Sequence, residues 1–256
     1  MPIATKQKRC TAPCPSKEEL VARILAFVEK HGAIRQGTPG WYNLMQTTIG
    51  GSEMSVLFGM NQYMKRDELL NKKRDPSNTF ISPIACLWGK FFEKVIRTYT
   101  EVNFGTQIYG HDICIEDGRL RYSPDGIGVV PRRKGGSVFD IVLFEFKCPY
   151  IRIPDGKVPK HYEPQIWAGL AATEEIRTAY GMFIDAAIRR CSVDQLNATP
   201  DYDREYHSKG RPLYGKPVAY GMMNVYSRGE NAGENPVDYG TADRDVFDGM
   251  LKDVDN

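Results

Sequence analysis

The residue types and spacing best suited to chemistry in this sequence are those of Asp125, Glu145 and Lys147. Residues 138 to 147 are dominated by Val, Ile, Leu and Phe and read as a β-strand ended by Cys148-Pro149. Alternate side chains of a strand share a face, so Ile141, Leu143, Glu145 and Lys147 project together. That face is apolar until it ends in a carboxylate and an ammonium. Charges leave water only at high cost unless they are paired or bind a metal. Asp125 lies twenty positions before Glu145. Between them Ile127–Val130 runs out and residues 137 to 147 run back, joined by the Pro131–Gly136 turn, so that Asp125 and Glu145 meet at one end of a hairpin. Two hard oxygen donors beside one Lys suit Mg²⁺ or Mn²⁺. Such an ion activates water, and with the Lys it neutralises charge on a phosphodiester in transit. Taken alone, Glu-x-Lys also reads as a solvated pair at an edge strand, worth little.

Three further segments carry patterned polar residues. Ile49-Gly50-Gly51-Ser52-Glu53 precedes Met54, Val56, Leu57 and Phe58, then Gly59 and Asn61-x-Tyr63. It reads as a tight turn into a short helix whose N-terminal N–H groups, with the Ser52 hydroxyl, face an anion; an ordinary Ser N-cap is the alternative. Trp88-Gly89-x-x-x-Glu93 falls in a helix predicted from Ile84 to about Glu101, with Ser82 as N-cap, Pro83 in the first turn, and Leu87, Trp88, Phe91, Val95 and Tyr99 as the apolar side. Tyr162-Glu163-Pro164-Gln165 opens a helix predicted to reach about Thr173. By itself each of the polar residues in these segments reads as a cap or a surface group.

Taken in order from Trp41 to Gly169, these motifs resemble the YqaJ-type viral recombinases, the lambda-exonuclease-like alkaline nucleases of the PD-(D/E)xK superfamily. The resemblance implies an α/β fold with a central mixed sheet flanked by helices, and a Mg²⁺-dependent (Mn²⁺ tolerated) exodeoxyribonuclease. It implies that Asp125, Glu145, the Phe146 carbonyl and Glu93 hold metal, that Lys147 orients or activates water, and that Gln165 assists. Ser52, Gly51 and Tyr162 are implied to contact substrate. The implied activity is 5′-to-3′ digestion of linear double-stranded DNA in viral or phage recombination, alongside a single-strand-annealing protein and in some members as a homo-oligomer. The sequence departs from the pattern at one point. The Arg expected seven residues before the Ser is Met45 here, and the nearby cations are Arg35, Lys65 and Arg66. An endonuclease, a nuclease that also cuts RNA, and a non-catalytic DNA-binding protein are the competing readings.

At 256 residues, 41% apolar and 26% charged, the chain has an ordinary globular composition. The reading is a basic, flexible tail over 1–15 and a single nuclease domain over 16–256. A net charge of +2 does not mark a dedicated nucleic-acid binder, whose pI commonly exceeds about 9. No stretch approaches the roughly 20 apolar residues of a membrane span. The expectation is therefore a soluble intracellular protein, in host cytoplasm or nucleus if viral. Six scattered cysteines read as free thiols rather than disulfides, zinc ligands or an iron–sulfur site. Ser16-x-x-Glu19 is a capping box opening a helix to about Lys30. Lys65–Arg74 reads as an amphipathic helix, residues 107–115 and 119–123 as strands, and 177–191 and 217–226 as further sheet strands.

Overall fold

The computed structural model describes residues 14–75, 84–133, 135–152, 158–187 and 220–227. Helix α1 (Lys17–His31) begins at the expected capping box, with Ser16 and Glu19 exchanging side-chain and backbone bonds at 3.2 and 2.7 Å. There follow α2 (Pro39–Thr47), the two-residue strand β1 (Ile49–Gly50), a 3₁₀ turn (Gly51–Glu53), α3 (Met54–Leu57), α4 (Arg66–Arg74) and the long α5 (Ile84–Phe104). Strands β2 (Ile115–Asp117), β3 (Leu120–Tyr122), β4 (Gly126–Pro131) and β5 (Phe139–Lys147) come next. Helix α6 (Glu163–Ala172) then connects β5 to β6 (Tyr180–Ala187), and β7 (Tyr220–Ser227) completes the described elements.

Strands β4-β5-β6-β7 form one mixed sheet, in which β5 and β6 are parallel and the outer pairings antiparallel. Parallel neighbours need a crossover, and α6 supplies it. Strand β5 is buried on both faces, which its unbroken apolar run anticipates. Its even positions Val142, Phe144 and Phe146 pack with Phe92, Val95, Ile96 and Tyr99 of α5. Its odd positions Ile141 and Leu143 pack with Leu20, Ile24 and Phe27 of α1 and with Tyr122. Glu145 and Lys147 continue that second face, toward α6. The fold is thus the mixed α/β core anticipated for a PD-(D/E)xK protein.

Several local expectations need correction. On α5 the expected Val95 and Tyr99 are buried with Trp88 packed against them, but Leu87 and Phe91 are exposed, and Phe92 and Ile96 are buried in addition. Phe91 and Phe92 are equally apolar, and only packing on β5 decides between them. Residues 107–114 do not form a strand; they touch β4 by a single bridge between Tyr109 and Ile127 and turn at Gly110, whose φ is +69°. Strand β3 lies between β1, to which it is parallel, and β2, to which it is antiparallel, in a separate small sheet. The expectations for residues 1–13, for the Ser82 cap and Pro83, and for residues 192–216 and 228–256 lie outside the described residues. Among the described residues no helix is long and apolar enough to cross a membrane, and Cys14, Cys86, Cys114 and Cys148 are not joined in disulfides.

Candidate active site

The β4–β5 pairing matches Gly126 with Phe144, which sets Asp125 opposite Glu145 at the end of the hairpin. Asp125 reaches across to accept the Phe146 N–H at 2.8 Å. In a hydrogen-bonded strand position the N–H and C=O of one residue point to the same side. The Phe146 carbonyl therefore opens on the Asp125 side of β5.

Glu145 is 1% exposed and accepts hydrogen bonds from three side chains. Its Oε1 accepts from the Lys147 ammonium and, at 2.5 Å, from Gln165 Nε2; its Oε2 accepts the Tyr122 hydroxyl at 3.1 Å. Each donor comes from a different element, since Tyr122 ends β3, Lys147 ends β5, and Gln165 sits in the first turn of α6, where Pro164 fixes the helix start. Lys147 also lies over the Tyr162 ring, 5.2 Å from its centroid.

Tyr122 was not singled out by the sequence, and two glycines explain how it reaches the site. A Cβ on Gly51 would stand 2.5 Å from the Tyr122 ring, and a Cβ on Gly169 would stand 2.5 Å from its Cζ and 2.6 Å from its hydroxyl. The ring is slotted between the 3₁₀ turn and α6. Gly51 is thereby a packing residue. The available signal was Gly169, a glycine inside a helix, which usually marks a close approach.

The electrostatics are unbalanced. Burial, then the charge of Asp125, push Glu145 up to about 8, against the pull of Lys147 and Tyr122. Burial and Asp125 likewise push Glu93 up to about 7, although Arg97 lies 3.8 Å away. Burial would lower the Lys147 ammonium, but Glu145 and Asp125 outweigh it and hold it above its ordinary value. Tyr122 is held well above its usual range by burial and the same carboxylates, so it stays a donor. Glu93 feels Asp125 yet leans on Arg97, and among the described residues no three His, Cys, Asp or Glu side chains are gathered into a ready-made metal cage. Asp125, Glu145 and the Phe146 carbonyl offer a seat of hard oxygens, and their unrelieved repulsion is what a divalent cation offsets.

Ser52 is exposed in the 3₁₀ turn that packs on α6, and it does not act as an N-cap. The carboxylate of Glu53 takes the Gly50 N–H instead, at 2.7 Å. Helix α3 behind the turn is only four residues long, so the expected helix-terminus field is slight. The cations considered for the place of the missing Arg are elsewhere engaged or simply exposed: Arg35 pairs with Asp112, Arg66 donates to the Leu57 carbonyl, and Lys65 faces solvent. The cation set against Met45 is Lys73, unforeseen in the sequence. Its ammonium donates to the carbonyls of Met45 at 2.8 Å and Thr48 at 2.7 Å and to Glu53 at 2.8 Å.

Residues 40–175 match the YqaJ-like viral recombinase domain. Protein D345L of African swine fever virus (strain Badajoz 1971 Vero-adapted) is 28% identical over 239 residues, covering 85% of this chain and 68% of that protein. D345L of the Pretoriuskop tick isolate from South Africa gives the same values. Among solved structures, the alkaline exonuclease LHK-Exo from Laribacter hongkongensis is similar at 15% identity and a TM-score of 0.48, covering 85% of this chain and 93% of that one. A phage-related exonuclease from Haemophilus somnus is similar at 13% identity and a TM-score of 0.42, covering 84% and 93%. The chain belongs to the YqaJ-like viral recombinase family.

Proposed function

We propose that this family member is a divalent-metal-dependent deoxyribonuclease that digests linear double-stranded DNA from a 5′ end, leaving 3′ single strands for an annealing partner. The observation that carries the reading is the end of β5, where buried Glu145 faces Asp125 and is oriented by Tyr122, Gln165 and Lys147. Asp125, Glu145 and the Phe146 carbonyl would hold Mg²⁺ or Mn²⁺, with Glu93 outermost; the bound ion supplies Lewis-acid activation of water and charge neutralisation at phosphate. Lys147, raised above its ordinary value, stays protonated, and so donates hydrogen bonds and positive charge to the phosphate rather than taking a proton. Gln165 and Tyr122 fix the Glu145 carboxylate in one orientation. Exposed Ser52 offers a hydroxyl to a substrate phosphate, and Tyr162 borders the ammonium.

Met45 favours a second reading, an endonuclease or an exonuclease indifferent to the 5′-phosphate, because Lys73 behind it is spent on Glu53 and two carbonyls. One experiment separates them. Purified protein and Lys147→Ala are incubated with Mg²⁺ and linear DNA bearing 5′-phosphate or 5′-hydroxyl ends, and with a covalently closed circle. Chelator-sensitive loss of the 5′-phosphorylated linear DNA alone supports the recombination exonuclease. Equal loss of both linear DNAs gives phosphate-indifferent digestion, and cutting of the circle gives an endonuclease. No metal-dependent loss of any DNA ends the deoxyribonuclease reading and leaves RNA cleavage or a binding role.

A further inference from the structure

The site has an aromatic border that phosphodiester chemistry leaves unused. Tyr63 is 80% exposed, yet its backbone is pinned. Asn61 Oδ1 accepts the N–H groups of Tyr63 and Met64 at 2.8 and 3.0 Å, while Asn61 Nδ2 donates to the Oγ of buried Ser55 at 3.0 Å. A large side chain on a fixed turn, turned to solvent, has little ordering left to lose when a flat partner lands on it. Tyr63 stands perpendicular to His161 with centroids 6.4 Å apart, and His161 packs on Tyr162 at 4.1 Å. Tyr162 lies under the Lys147 ammonium. Three rings therefore run from solvent to the reacting end of β5.

A fixed cation stands beside them. Asp185 is fully buried on β6, in register with Lys147, and holds the Arg152 guanidinium at 2.6 Å. Arg152 remains 35% exposed, and its charge is felt at both His161 and Tyr162. Aromatic faces next to a cationic track are the means by which proteins hold single-stranded nucleic acid, one element for the base and one for the phosphate.

We infer that Tyr63, backed by His161, and Arg152 form a subsite for the nucleotide adjoining the scissile phosphate, the base stacking on Tyr63 and its phosphate meeting Arg152. The inference rests on the nuclease reading of the same site. It specifies the substrate further: a base inside a duplex has both faces covered, so the occupant is a terminal nucleotide, whose outer face is open, or one freed from its stack.

The test is a cycle between residue and substrate, run with Ca²⁺ in place of Mg²⁺ and read by fluorescence anisotropy. The full chain, Tyr63→Ala and Tyr63→Phe are titrated against a fluorescein-labelled single-stranded oligodeoxynucleotide and against an abasic strand of the same length. The wild type is expected to prefer the base-bearing strand by about 5- to 100-fold. Tyr63→Ala should erase that preference while leaving affinity for the abasic strand unchanged, and Tyr63→Phe should keep it. Arg152→Gln should weaken both strands alike and flatten the salt dependence. A preference that survives Tyr63→Ala, or an equal loss on both strands, overturns the inference. Cleavage of unmodified DNA in Mg²⁺ is scored in parallel. A protein that binds with the expected base dependence and cuts nothing keeps the subsite and loses the nuclease reading.

Discussion

The Glu53 and Glu145 clusters of charge, both among the described residues, are built in opposite ways. In the first, Glu53 is met by Lys73 at 2.8 Å and Arg121 at 3.7 Å, with only 6 to 14% of these side chains exposed. There the cations are in excess, and their donors are spent on the Met45 and Thr48 carbonyls and the Thr48 hydroxyl, with Arg121 over the Trp41 ring. In the second, Asp125, Glu145 and Glu93 outnumber Lys147 and Arg97, and the acids are pushed up to about 8 at Glu145 and about 7 at Glu93. Burial of charge does not separate structure from chemistry, because both clusters have it. What separates them is that one is satisfied by its own backbone and the other leaves negative charge for something else to neutralise.

The largest expected difference is in turnover. Lys147→Ala should lower kcat for metal-dependent DNA cleavage by about 10²- to 10³-fold, with little change in Tm, because Glu145, pushed up to about 8, already carries a proton at neutral pH and strands no charge when its cation goes. Lys73→Met should do the reverse. Glu53 keeps Arg121 and the Gly50 N–H, but the Met45 and Thr48 carbonyls lose their donor, which costs about 1–3 kcal/mol of stability, read in a urea titration, while the folded fraction still cuts. Similar turnover losses in the two variants, measured well below both melting temperatures, would erase the proposed distinction. Gly169→Ala comes next: its Cβ meets the Tyr122 ring, and overpacking of this kind costs about 1–3 kcal/mol.

The smallest effect is a drift with pH. Folded, metal-free protein keeps the Glu145 proton up to about pH 8, whereas an unfolded Glu loses it near about 4.3. Between those values the folded state binds more protons, so stability falls as pH rises; below the window both states are protonated, and above it the full cost is present. Thermal melts of chelated protein should therefore drift downward from pH 5 to pH 8. Mg²⁺ should raise Tm most at the alkaline end, and Glu145→Gln should flatten the part of the drift above pH 7. A Tm that climbs with pH in the chelated protein would contradict the assigned imbalance.

The sequence made the hairpin legible because it is local. An apolar run on β5, a Gly-Gly turn and a fixed spacing were enough to bring Asp125 and Glu145 to one end. Capping at Ser16 and the Pro164 start of α6 were legible for the same reason, each set by a few neighbouring residues. What was missed depends on distant packing. Tyr122 meets Glu145 only once β3 and α6 have closed on its ring, and Lys73 meets Glu53 across 20 residues of chain. The choice between Phe91 and Phe92 on α5 belongs to the sheet, since helical periodicity permits either. The strand expected over 107–114 failed at Gly110, where positive φ ends the extension.

The slot that holds Tyr122 has a bearing on how this chain tolerates change. Replacing a mid-helix glycine with alanine is a standard route to a firmer helix, gaining about 1 kcal/mol from propensity. At Gly169 that gain is forfeited, because the lost hydrogen atom is the room the phenol occupies. Positions 51, 122 and 169 thus constitute one inherited unit. A smaller residue at 122 would open room at Gly51, whereas a Cβ on Gly169 would still stand 2.5 Å from Leu143 Cδ2.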